Sequence, residues 1–109
     1  MTPNEYQQKA LETAIYPNRG NNFVYPILGL SGEVGEVAEK LKKVIRDKNG
    51  VLTDSDKKDT ALELSDCAWY VAVLASELGY TLEDLFQMNI DKLQSRKERG
   101  VLSGSGDNR

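Results

Sequence analysis

The sequence predicts an all-α protein, a helical bundle of about four helices per chain. Three observations carry the prediction. Two long stretches, Phe23–Asp47 and the segment running from about Asp56 to Leu78, place apolar residues every three or four positions, the repeat of a helix face. Turn-forming residues bracket them, Asn49-Gly50 after the first and Gly79 after the second. No stretch alternates apolar and polar residues as a half-buried strand does. At about 24 residues each, these helices would be about 36 Å long. Their apolar faces are wider than two thinner partners can cover, so the four-helix core is expected to be completed by a second chain, in a homodimer or a dimer of dimers.

The first helix opens at Thr2-Pro3-Asn4-Glu5. Thr2 suits the cap, Pro3 the first turn, and Glu5 would complete a capping box. Tyr6, Ala10, Ala14 and Ile15 give a modest apolar stripe that extends the expected helix to about Tyr16, before the loop-forming run Pro17–Asn22. In the second helix Leu30, Val34, Val37, Leu41, Val44 and Ile45 fill one arc at 100° per residue. Gly29, Gly32 and Gly35 each cost this helix roughly 1 kcal/mol relative to alanine. Their spacing beside acids suggests close approach by a neighbouring chain or ligand, the alternative being plain weakening of the helix. Val51–Asp56 is a polar connection ending in good capping residues. In the third helix the apolar arc is Leu64, Cys67, Val71, Leu74, Ala75 and Leu78, with Trp69 off to one side and suited to a helix or subunit interface. Thr81 and Asp84 open a fourth helix from about Leu82 to Arg99, whose apolar residues are Leu82, Leu85, Phe86, Met88 or Ile90, and Leu93. Residues 1–99 thus read as one domain. Residues 100–109, rich in Gly and Ser, read as a flexible tail.

Composition removes whole classes of function. Seventeen acids against 14 bases leave a net charge of -3, whereas a protein that grips a DNA or RNA polymer usually presents a basic face. There is no histidine, so Ser-His-Asp and Cys-His chemistry, histidine metal ligands and the Glu-x-x-His di-iron bundle are all out. The single cysteine, Cys67, sits in an apolar run and reads as a buried structural thiol rather than a nucleophile. No charged-then-apolar signal pattern opens the chain. The longest apolar run, Cys67–Ala75, is too short for a span of about 20 residues. A cytoplasmic protein with no membrane partner is expected.

What remains is carboxylate chemistry. Glu33 and Glu36 lie three residues apart at the edge of the apolar arc of the second helix, and Glu63 and Asp66 repeat both spacing and offset on the third. Packing the two arcs together would bring four carboxylates toward one another, an arrangement that repels unless cations sit between them. Magnesium takes oxygen ligands from a few carboxylates, waters and substrate phosphates, and four acids on two antiparallel helices suit it. The alternative is a solvated acidic face, since Glu36 with Glu39 and Asp56 with Asp59 share the spacing.

The run Gly-Glu-Val-Gly-Glu-Val-Ala-Glu, followed by Glu-Leu-Ser-Asp, resembles the Glu-x-x-Glu and Glu-x-x-Asp signature of the MazG-like all-α nucleoside triphosphate pyrophosphohydrolases. Asn89–Arg96 is similar to that family's Asn-x-x-Lys-Leu-x-x-Arg, and the Gly-Ser-Gly-Asp-Asn-Arg ending is similar to that of its short members. The resemblance implies hydrolysis of a nucleoside triphosphate between the α and β phosphates, giving monophosphate and pyrophosphate. It implies Glu33, Glu36, Glu63 and Asp66 as magnesium ligands, with manganese as a substitute, one of them also activating the attacking water. It implies Asn89, Lys92 and Arg96 as substrate contacts; Lys40 and Lys43 read first as solvated lysines and only second as contributors to the phosphate field. The tail from Ser103 to Arg109 is a candidate to close over the triphosphate. Two other readings stay open: the same fold acting on dUTP or phosphoribosyl-ATP, and a non-enzymatic helical dimerisation or regulatory module.

Overall fold

The computed structural model describes residues 1–109 and is all-helical, with no strand. Four helices follow in order: α1 (Pro3–Leu11), α2 (Val24–Lys48), α3 (Asp54–Glu77) and α4 (Leu82–Glu98). The helix ends follow from local chemistry. The Thr2 side chain caps α1 by accepting from the Glu5 N–H, without the reciprocal bond from Glu5. Thr53 with Asp56 and Thr81 with Asp84 form complete capping boxes on α3 and α4. Three of the four helices stop at a left-handed residue, with Gly50, Gly79 and Gly100 all at positive φ.

The expected first helix is corrected: it ends at Leu11, not near Tyr16. The Thr13 hydroxyl donates to the Ala10 carbonyl, which competes with helix continuation. The chain then turns so that Ala14 and Tyr16 are buried while Ile15 is 92 % exposed. Tyr16 stacks on Tyr25 at the start of α2, with ring centroids 4.7 Å apart. Its hydroxyl donates to the Glu77 carboxylate, which also accepts from the main-chain N–H groups of Gly20 and Asn22. Burial alone would raise the Glu77 carboxyl; these three donors outweigh it and hold it below the usual range. One acid at the end of α3 therefore ties down the whole 17–22 loop.

Helices α2 and α3 form a long antiparallel hairpin, and α2 packs on α3 alone. At the other flank α1 and α4 pack on α3 and on each other. Ala10, Ala14, Tyr16, Ala72, Val73 and Leu82 make a small core there. Gln7 is its polar rivet. Its side chain donates to the Ala72 and Tyr80 carbonyls and accepts from the Leu82 N–H, so one amide joins three helices. Trp69 packs at the α1–α3 interface, its indole N–H donating to Thr13 at 2.9 Å. Cys67 is a free, buried thiol. No helix is long and apolar enough to cross a membrane.

Much apolar surface stays open. Leu64, Leu78, Phe86, Met88 and Ile90 are each at least half exposed. The two apolar arcs expected for α2 and α3 are thus only partly covered within the chain.

Candidate metal centre

The hairpin register sets the site. Asn22 meets Glu77, and Gly29 lies under the ring of Tyr70. From one contact to the next is seven residues on each side of the hairpin, so the pairing is regular and antiparallel. Continued by one turn, it sets Glu33 opposite Asp66, and after three more residues Glu36 opposite Glu63. Gly29 makes the close packing feasible. A Cβ at that position would lie 2.1 Å from Tyr70 Cε1, well inside contact distance. The expected close approach is therefore met at Gly29, by α3 of the same chain. At Gly32 and Gly35 it is not, since a Cβ there would meet nothing within 4 Å.

Carboxylate oxygens of Glu33, Glu63 and Asp66 all lie within 4.8 Å of one another. Glu33 and Glu63 are half-buried and Asp66 is exposed. Partial burial, then the charges of Asp66 and Glu63, push the Glu33 carboxyl above its ordinary range, with a hydrogen bond to Glu63 and the charge of Glu36 adding to the effect. Glu36 thus lies within electrostatic reach but outside the tight group, on an exposed face. The donor set is all oxygen, close enough for one ion to be shared and short of positive charge. Those properties fit a hard divalent cation such as magnesium or manganese. Lys40 is the nearest compensation, its ammonium 3.8 Å from Glu63.

Tyr70 was not among the residues singled out from the sequence. Its ring lies over Gly29 and meets Trp69 edge-on at 4.9 Å. Burial raises its hydroxyl pKa, and the charges of Tyr25, Glu33 and Asp66 add to the rise, which places it beside the acids. Its position one helical turn after Asp66 was the available signal. Lys43 pairs with Glu39 at 3.8 Å.

The residues expected on α4 lie elsewhere. Asn89 and Lys92 line a shallow recess with Leu85 and Met88, and α4 makes no packing contact with α2. Arg96 is buried and spends its hydrogen bonds on Gly106 and Asp107 of the tail. Within one chain, then, the acids and the α4 cations form two separate groups.

Residues 26–101 match the MazG nucleotide pyrophosphohydrolase domain family. The chain is also similar to the Gene 37 protein of Mycobacterium phage L5, 50% identical over 109 aligned residues that span 95% of this chain and 96% of that one. No solved structure gives a significant match.

Proposed function

Because the chain belongs to the MazG nucleotide pyrophosphohydrolase family, we propose that it hydrolyses a nucleoside triphosphate, ribo or deoxy, between the α and β phosphates, releasing monophosphate and pyrophosphate. The observation that carries the reading is the close grouping of the Glu33, Glu63 and Asp66 carboxylates, within 4.8 Å of one another on two helices held in fixed register. A magnesium ion held there, or manganese in its place, would neutralise phosphate charge and make a nearby water a stronger acid. Glu33, Glu63 and Asp66 supply the oxygen ligands. Glu36, one turn along the same edge of α2 and free in solvent, is the carboxylate placed to complete the ligand set or to take the proton of the attacking water. Lys40 Nζ, beside Glu63, offers positive charge to a phosphate oxygen at the rim. Asn89, Lys92 and Arg96 lie apart from the acids within one chain, so their substrate contacts would come from α4 of a second copy.

We infer as well that two copies pair through the open apolar face. The accessible surface is 7773 Å², against about 6,000 Å² for a compact monomer of this mass. The excess is of the size that a stable subunit interface removes.

Purified protein incubated with each common NTP and dNTP, with dUTP and phosphoribosyl-ATP in the panel, tests the enzymatic reading. Monophosphate and pyrophosphate should appear only with a divalent cation. Glu36→Gln and Asp66→Asn should each lower kcat/KM by at least about a hundredfold, more than loss of an outer-shell partner costs. Absence of turnover by the wild type, or full activity in both variants, would sink it.

A further inference from the structure

Every hydrogen bond that the Arg96 side chain makes goes to the C-terminal tail. Its Nη2 donates to the Gly106 carbonyl at 3.4 Å, the Asp107 carbonyl at 3.1 Å and Asp107 Oδ1 at 3.2 Å. The same Oδ1 lies 3.3 Å from Lys92 Nζ. One carboxylate oxygen thus bridges two cations of α4, as an oxygen of a phosphate would.

The two sides of this contact are unequal. The Arg96 side chain is 6% exposed and that of Asp107 84%. A buried guanidinium left without an anion is costly, so Arg96 requires a partner. The Asp107 carboxylate is itself exposed and is held only by Arg96 and by the solvent-facing Lys92, a pair of the weak kind. Gly104 and Gly106, at φ +114° and +85°, hold backbone shapes that other residues rarely adopt and turn the segment back toward α4. A phosphoryl group brings more charge and more acceptor oxygens than one carboxylate, and arginine binds it with a matching fork. Arg109 keeps the tail together as a unit by donating to the carbonyls of Val101 and Leu102, at 3.0 and 2.9 Å, and to that of Gly106 at 2.6 Å. The tail can therefore leave Arg96 as a folded loop.

We propose that Asp107 is an internal anion latch: it occupies the Lys92–Arg96 pair in the free protein, and a phosphoryl group of the incoming nucleotide displaces it. The proposal rests on the reading of Lys92 and Arg96 as phosphate contacts. It makes the tail a competitor of the substrate and a brake on weakly bound anions, rather than a flap waiting to close.

Inorganic tripolyphosphate, the triphosphate without base or sugar, is the probe. It is titrated by calorimetry, without metal, into the full-length wild type and into Asp107→Asn. The latch requires at least about fivefold tighter binding by Asp107→Asn, the scale of the solvent-facing Lys92–Asp107 pair alone. It also requires the Gly104 and Gly106 amide resonances of the wild type to shift during the titration, as the loop leaves Arg96. Equal or weaker binding by the variant overturns the latch, as do glycine resonances that stay fixed while tripolyphosphate binds, or a wild type that does not bind it. A purely structural clamp would instead lower the melting temperature of Asp107→Asn with no gain in affinity. Neither readout needs turnover. A chain that shows both effects yet hydrolyses no nucleotide keeps the latch and loses only the enzymatic reading.

Discussion

At Glu33, partial burial and the facing Asp66 and Glu63 carboxylates act in the same direction, and all favour the protonated acid. The sign for stability follows. A carboxyl whose folded pKa is raised stabilises the fold fully below its unfolded value, near 4.3, and loses that contribution as pH rises through the raised value. In the metal-free protein the Glu33 carboxyl should therefore withdraw stability as pH is raised from about 4 to 7, against acids such as Glu77 that are held low and add stability up to the ordinary carboxylate range. Glu33→Gln should flatten this dependence and exceed the wild type in melting temperature at neutral pH without metal. Magnesium should reverse the ranking, since a ligand selective for the folded state stabilises it. Thermal melts over that pH range, with and without magnesium, check both arms. An unchanged pH slope in Glu33→Gln would show that the carboxylates do not interact as placed. At this scale the sequence was highly legible for the acids on α2 and α3, because three- and four-residue spacings on a helix map directly onto a face. It was poorly legible for Arg96. Nothing in its local pattern says that a tail eleven residues on folds back to it, and glycine-rich composition points to freedom rather than contact.

The α2–α3 hairpin is the element that converts spacing into a site. Its register depends on the Tyr70 ring packing against Gly29, one turn away from the Glu33–Asp66 pair. Gly29→Ala should cost about 1 to 3 kcal/mol through overpacking, partly offset by the roughly 1 kcal/mol that alanine gains in helix propensity. It should also weaken magnesium binding by prising Glu33 from Asp66. Gly32→Ala, where a Cβ meets open space, should instead raise stability by up to about 1 kcal/mol. Denaturant melts of the two variants, with magnesium titrations, test the contrast; equal losses in both would refute the role given to Gly29. The sequence marked all three glycines alike. Only the side chain packed opposite each distinguishes them, and that partner lies some forty residues away in the chain. The early end of α1 has the same origin. Periodicity through Ala14 and Tyr16 was real, since both are buried, but burial there is achieved by a turn that brings Tyr16 to Glu77.

Taken whole, the chain is more open than a compact domain of its length. Its radius of gyration is 16.8 Å, against about 13 Å for a compact chain of this length. Its accessible surface exceeds the expectation for its mass by about 1,700 Å². Leu64, 60% exposed on the open side of α3, should contribute little to the fold of one chain and much to pairing. Sedimentation should find the wild type at twice its 12.1 kDa. Leu64→Asp should sediment as a monomer that keeps its helical circular dichroism. A wild type that sediments as a monomer would remove the pairing proposal.

By itself the sequence determined the fold class, four helices of which three had nearly correct bounds, the absence of histidine and the four acids worth watching. All of these follow from interactions within about one helical turn, where residue order and geometry are the same thing. Only the tertiary structure decided which acids meet. It drew Glu33, Glu63 and Asp66 together and left Glu36 at the rim, because the packing of Tyr70 over Gly29 fixes how the two helices face each other. It likewise set the α4 cations apart from the acids and gave them to the tail. Such contacts join residues distant in the chain, and their distances depend on packed side-chain shapes that no local pattern encodes.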